Sequence, residues 1–321
     1  MSNYSKGRLI KVRRIALKMT QEELASDICD VVTLRRYESG KLEPTDEKFN
    51  AIMQKLNADS DLINPSFEIY GFTDPAVYEE FERLLQIHNL SEFSKQRDVF
   101  LQSLNKTIKG TTYKQLLVRI NTLSETDSEK KINVLTDALR LTFSDFNINK
   151  IPTKMLSYVE LSIINDIAIC YYSLNNTNSI DFAVKIYNNL YDYFLNMMPV
   201  NNNLMFRKIV LNYTSILGRQ HLFTKAILIC KKAIFWSDNS ICQNNIYNLI
   251  YNLGWLYYHL GISENNTHYI QLSKKYLLEA YTLNCFFDES VIGRKIIEEN
   301  YNSWFNSNVQ EEYHTQLEHP L

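Results

Sequence analysis

The chain has 321 residues, enough for one large or two ordinary domains with a sizeable core. Its 45% hydrophobic and 22% charged residues exclude a disordered or membrane-embedded class. Its 8 glycines exclude the glycine-rich turns of doubly wound nucleotide folds, so an all-α chain is expected. The net charge of −2 is uneven: residues 1–57 hold 11 Lys/Arg against 8 Asp/Glu, and the rest 23 against 28, which puts nucleic acid, if any, at the first end.

Residues 7–18 carry Leu9, Val12, Ile15 and Ala16 at helical spacing, with Arg8, Lys11, Arg13, Arg14 and Lys18 elsewhere, and predict a first helix. Thr20 is an N-cap with Glu23 as its capping-box partner, and Leu24, Ala25 and Ile28 give the next helix a narrow apolar face. A further short helix turns Leu34 and Tyr37 inward and ends at Gly40, which suits a left-handed C-cap. Between the inward residues stand Val32, Thr33, Arg35 and Arg36. They are of the types that read bases: arginine for guanine, threonine or valine for the thymine methyl. Gln21 and Lys41 are placed for phosphates, Arg14 and Glu38 for a structural pair, and Cys29 and Leu34 for the core. Together these residues form a helix-turn-helix able to enter a major groove. Pro44–Glu47, with Thr45 as cap, starts a fourth helix carrying Phe49, Ile52, Met53 and Leu56, and residues 1–57 make a small phage-repressor-like domain.

Residues 58–74, punctuated by Asn64-Pro65, Gly71 and Asp74, read as a hinge. From Pro75 onward amphipathic helices follow one another, with breaks near Asn89–Ser91, Ser124–Ser128, Asn147–Thr153, Pro199–Asn203 and Ser237–Asn239. Three stretches align: Ile164–Tyr171, Leu211–Gly218 and Tyr251–Tyr258. Each precedes a helix with small residues for close approach: Ala183, then Ala226 and Ala233, then Ser273 and Ala280. These are tetratricopeptide-like repeats of a helical solenoid over 75–321, the first and third with longer loops, at Asn175–Asn178 and Ile262–Thr267. Asp288–Phe305 is expected to cap the end.

Asn165, Asn212 and Asn252 occupy matching points of the three stretches. A side-chain amide both donates and accepts, so such a row could hold an extended peptide backbone without reading its sequence. Tyr251, Trp255 and Tyr258 could supply pockets beside it. The alternative is bonding between helices, with the aromatics in the core. Six dispersed histidines, no phosphate-binding loop and no nucleophile motif speak against an enzyme, and no metal or cofactor is expected. Five cysteines without a C-x-x-C pair read as buried thiols. With no apolar leader and no run of ~20 apolar residues, the chain is expected to be cytoplasmic and off the membrane.

The motif of residues 7–56 and the Asn-bearing repeats resemble the Rgg/NprR/PlcR/PrgX group of bacterial peptide-sensing transcription regulators over essentially the whole chain. Ile28-Cys29, Glu38-Ser39-Gly40, Pro44 and the segment Leu211–Ala233 are the most PlcR-like. The resemblance implies a homodimeric quorum-sensing regulator that binds a pseudo-palindromic site on double-stranded DNA and a short imported signalling peptide. Asn212 and Asn165 fall where that family grips peptide backbone. Three other readings stay open: a helix-turn-helix protein whose repeats form a protein-binding scaffold, an enzyme-modulating sensor of the Rap type, and an arbitrium-like phage regulator.

Overall fold

The computed structural model describes residues 6–7, 10–11, 14, 19–56, 84, 90–104, 111–147, 151, 156–197, 204–237, 246–287 and 290–318. Fourteen helices are delimited among them, and no strand. Contacts divide the chain into two compact units, Met1–Pro199 and Val200–Leu321, with the boundary at the predicted Pro199–Asn203 break. The predicted 58–74 hinge lies outside the described residues, as do Leu9, Val12, Ile15 and Ala16 of the predicted first helix.

The first unit opens with α1 (Gln21–Ala25), α2 (Val31–Glu38) and α3 (Asp46–Lys55). The Thr20–Glu23 capping box forms in both directions and starts α1. Asp30 caps α2 by accepting from the Thr33 amide at 2.8 Å. After α2 the chain reverses at Gly40, whose φ of 71° is the left-handed geometry expected of it. Ile10, Leu24, Ala25, Leu34, Tyr37, Phe49, Ile52, Met53 and Leu56 are all buried in one cluster, with Cys29 only half-buried at its edge. Gly7 lies against α2 so closely that a Cβ there would stand 1.5 Å from the Tyr37 carbonyl oxygen.

The first unit continues with α4 (Leu90–Leu104), α5 (Thr111–Thr122), α6 (Ser128–Arg140), α7 (Tyr158–Ser173) and α8 (Thr177–Met197). Leu90 and Ser91, read as part of a break, are the first residues of α4. Neighbours in sequence pack on each other from α5 to α8, and α5 also meets α7. This is the contact pattern of stacked helical hairpins.

The second unit repeats it with α9 (Leu204–Arg219), α10 (Phe223–Ser237), α11 (Ile246–Ser263), α12 (Thr267–Phe287), α13 (Val291–Phe305) and α14 (Val309–Glu318). Consecutive helices pack from α9 to α14, and α9 also meets α11. Ala226, Ala233, Ser273 and Ala280 are fully buried, as is Ala183 in the first unit. The Ser273 hydroxyl donates to the Gly254 carbonyl at 2.8 Å, so a small polar residue ties α12 to α11 where they cross.

Two expectations need correction. The first and third repeats do not have longer loops. All three hairpins turn over three residues, with Asn175, His221 and Asn265 in the middle at φ of 53°, 59° and 50°. In the second and third, the Leu222 amide donates to the Leu217 carbonyl and the Asn266 amide to Gly261, both at 2.9 Å, which is Schellman closure. The extra residues lengthen the helices instead: α8 and α12 have 21 residues against 15 in α10. Nor does Asp288–Phe305 end the stack. Asn306 stops α13 in a left-handed conformation, and α14 folds back with Val309 fully buried.

Candidate functional site

On the helix-turn-helix, α2 presents Val32, Arg35 and Arg36 to solvent, with Val32 55% exposed, and Lys41 stands exposed just beyond it. Thr33 is half-buried, and its hydroxyl donates to Asp30 Oδ2 at 2.6 Å. The two bonds from Thr33 keep the Asp30 carboxyl below its usual pKa, hydroxyl first and amide second. Thr33 therefore serves its own helix cap as well as facing outward.

Beneath this face runs a polar network. Arg14 meets Glu38 through two parallel bonds, Nε to Oε1 at 2.6 Å and Nη2 to Oε2 at 2.9 Å, and Nη1 donates to the Met19 carbonyl at 2.9 Å. The bond to Glu38 holds the guanidinium above its usual pKa, outweighing its burial. The structural pair read from the sequence is thus formed. Gln21 does not simply face outward. It is half-buried, donates from Nε2 to Glu38 Oε2 at 2.7 Å, and accepts from Arg35 Nε on Oε1 at 2.9 Å. Glu22, which the sequence did not single out, pairs with Arg35 Nη2 at 3.3 Å. An acid in the first turn of α1 was the only local sign of it.

In the first unit Asn165 is buried on α7. Its Oδ1 accepts from the Tyr187 hydroxyl at 3.1 Å, and its Nδ2 donates to Asp166 Oδ1 at 3.3 Å. Asp166 is in turn gripped through Oδ2 by Nε of the buried Arg119 at 2.6 Å. In the second unit Asn252 is buried on α11. It donates to the Thr214 hydroxyl at 2.7 Å and accepts from Ser215 at 3.3 Å, both across to α9. Asn212 is half-buried on α9.

The three aromatics of α11 are half-buried and drawn toward α13 and α9. The Tyr251 hydroxyl accepts from Asn300 Nδ2 at 2.6 Å, and Tyr258 stacks on Trp304 with centroids 4.1 Å apart. Trp255 lies 4.3 Å from His259 and fills the space where Gly218 has no side chain. His259 also faces Phe223 and Trp304. Burial, and secondarily the charge of His221, lower its pKa. His259, Asn300 and Trp304 were not foreseen, because Asn300 and Trp304 sit on the helix read as a terminal cap.

Cys170 and Cys230 are buried thiols, the second pushed up to about 12 by burial; Cys285 is half-buried, and Cys242 lies outside the described residues. Among the described residues no helix is long and apolar enough to cross a membrane, and no His/Cys/Asp/Glu group could hold a metal ion.

The helix-turn-helix family model, HTH_3, matches residues 10–63, so the first domain is a helix-turn-helix DNA-binding domain. Nothing among the curated proteins matches the chain. Among solved structures the chain is similar to PlcR from Bacillus thuringiensis in complex with the peptide PapR7 and DNA, at 20% identity and a TM-score of 0.47, over 94% of this chain and 99% of that one. It is also similar to ComR from S. thermophilus in complex with DNA and its signalling peptide ComS, at 15% identity and a TM-score of 0.47, over 94% and 99%. A third is the apo form of ComR from Streptococcus vestibularis, at 16% identity and a TM-score of 0.47, over 94% and 98%.

Proposed function

We propose that this chain is a cytoplasmic, homodimeric transcription regulator of the Rgg/NprR/PlcR/PrgX type, with α2 as its recognition helix and its repeats as a sensor for a short signalling peptide. The observation that carries the reading is the α2 face: Val32, Arg35, Arg36 and Lys41 stand in solvent on a helix-turn-helix whose other face is fully buried. Thr33 completes the surface toward DNA, and Gln21 lies behind it, bonded to Arg35. The domain boundaries proposed are 1–57 for DNA binding, 58–74 for the hinge and 75–321 for sensing and dimerisation.

Peptide sensing is supported by stacked hairpins that carry a half-buried Asn212 on the first helix of its pair. Tyr251, Trp255 and Tyr258 are proposed as apolar walls for the peptide in the second unit, and Asn165 and Asn252 as peptide-contacting amides, each within its own unit. Homodimerisation is supported by an exposed apolar set at the end of α12 and the start of α13. There Phe286 is 77% exposed, Val291 75% and Ile292 61%. Two joined copies would present two recognition helices to half-sites ~34 Å apart or multiples of that distance.

One observation favours a second reading. The amides of Asn165 and Asn252 already bond within the chain, as they would in a scaffold whose repeats bind a protein partner. The separating experiment is calorimetry of the protein with the peptide it carries in its native cells. Asn212→Ala should weaken that binding by about 1–3 kcal/mol, the cost of leaving peptide groups unpaired. An unchanged affinity would return Asn212 to structure, and no measurable binding by the unaltered protein would favour the scaffold.

A further inference from the structure

We infer that Gln21 is a positioning residue for Arg35, the middle of a relay from Arg14 through Glu38 that sets the pose of a base-reading guanidinium, and not a phosphate contact in its own right. The inference rests on the proposed reading of α2 as the recognition helix. The chemistry of the relay fixes its direction. The Glu38 side chain is only 3% exposed, and as a carboxylate it can only accept. Nε2 of Gln21 must therefore face it, which it does at 2.7 Å, and Oε1 must face away. An amide oxygen so directed calls for a donor, and Arg35 Nε supplies it at 2.9 Å.

Arg35 is long and exposed, and free in solution it would sample many rotamers. With Nε tied to Gln21, the plane of its guanidinium is constrained, and the Nη groups keep N–H donors for a base. Bidentate recognition of a base requires that kind of presentation. The bond from Nη2 to Glu22 differs from the rest. Both partners are mostly exposed, so the pair is weak and yields readily to a nucleic-acid acceptor. The Gln21 tether is backed by a buried ion pair, and DNA has no reason to break it.

The test uses the full chain and a library of randomised duplexes, with base preferences read by sequencing the bound fraction and affinities measured on single duplexes. The position read by Arg35 is the one whose preference Arg35→Ala abolishes. At that position Gln21→Ala should lose discrimination by about tenfold, within the range of one bidentate base contact. The double variant should be no worse there than Arg35→Ala alone, and binding to unrelated duplex should keep its affinity and salt slope. Glu38 keeps both bonds to Arg14 in Gln21→Ala, so the domain should stay folded, which circular dichroism checks.

An equal loss on every duplex, adding to that of Arg35→Ala, would make Gln21 a phosphate contact and overturn the inference. Unchanged preferences in either single variant would overturn it as well. A wild-type chain that enriches no sequence would instead remove the recognition-helix reading on which the relay depends.

Discussion

Arg14→Met removes one half of the pair on which the relay stands, and its cost can be worked from the contacts. Two parallel bonds join the side chains, which are 12% and 3% exposed, so the Glu38 carboxylate would be left in a largely dry site. Gln21 would still donate to one of its oxygens. That places the loss at about 3 kcal/mol, the low end of the range for breaking a buried ion pair. Read as amide hydrogen exchange over Leu34–Glu38 in the full chain, it should speed local opening by roughly a hundredfold. The double variant Arg14→Met, Glu38→Leu should recover most of the protection, since an apolar pair of similar volume carries no stranded charge. A change below about fivefold in the single variant, the scale of a solvent-screened surface pair, would refute the reasoning.

Three further outcomes are expected. Arg36→Ala, at an exposed position of α2, should abolish preference among duplexes while leaving the circular dichroism spectrum and the oligomeric state intact; retained preference would move the reading face elsewhere. Asn252→Ala should lower the stability of the second unit by about 1–2 kcal/mol, because the Thr214 and Ser215 hydroxyls lose their partner across the α9–α11 contact; denaturant unfolding that shows no loss would leave the amide without a structural role. His259 has its pKa lowered by burial, so the unfolded chain binds the proton more tightly. The stability it contributes is complete above the ordinary value of 6.5 and falls as pH drops from there through its folded value. Thermal midpoints should decline across that window in the wild-type protein and less so in His259→Phe.

The parts of the fold that depend on neighbouring residues were legible in the sequence. The Thr20–Glu23 box, the buried set Leu24, Leu34, Tyr37, Phe49 and Ile52, and the turn at Gly40 all follow from spacing and cap chemistry within a few residues. So did the small residues of the hairpins, because close helix approach excludes anything larger. Loop lengths were misread at Asn175 and Asn265. Asparagine suggests loop, but here one left-handed asparagine closes each turn and the helix resumes two residues later.

Side-chain geometry across helices was not legible. Gln21 and Arg35 meet only because α1 and α2 cross as they do, and nothing in their spacing sets that angle. The same holds for Tyr258 on Trp304, which are joined by the fold of α13 onto α11. Asn252 was recognised as a repeated position, but whether its amide faces a groove or a neighbouring helix depends on contacts with Thr214 that spacing does not contain.

The central claim is that the repeats sense a peptide and the helix-turn-helix reads DNA. Its most direct test is to purify the chain from its native cells, denature it, and identify any released peptide by mass spectrometry. One short peptide should be released in stoichiometric amount, be largely absent from Asn212→Ala, and change the DNA affinity of the peptide-free protein when synthesised and added back. A chain that binds its DNA, releases no peptide and is indifferent to peptides extracted from those cells would contradict it.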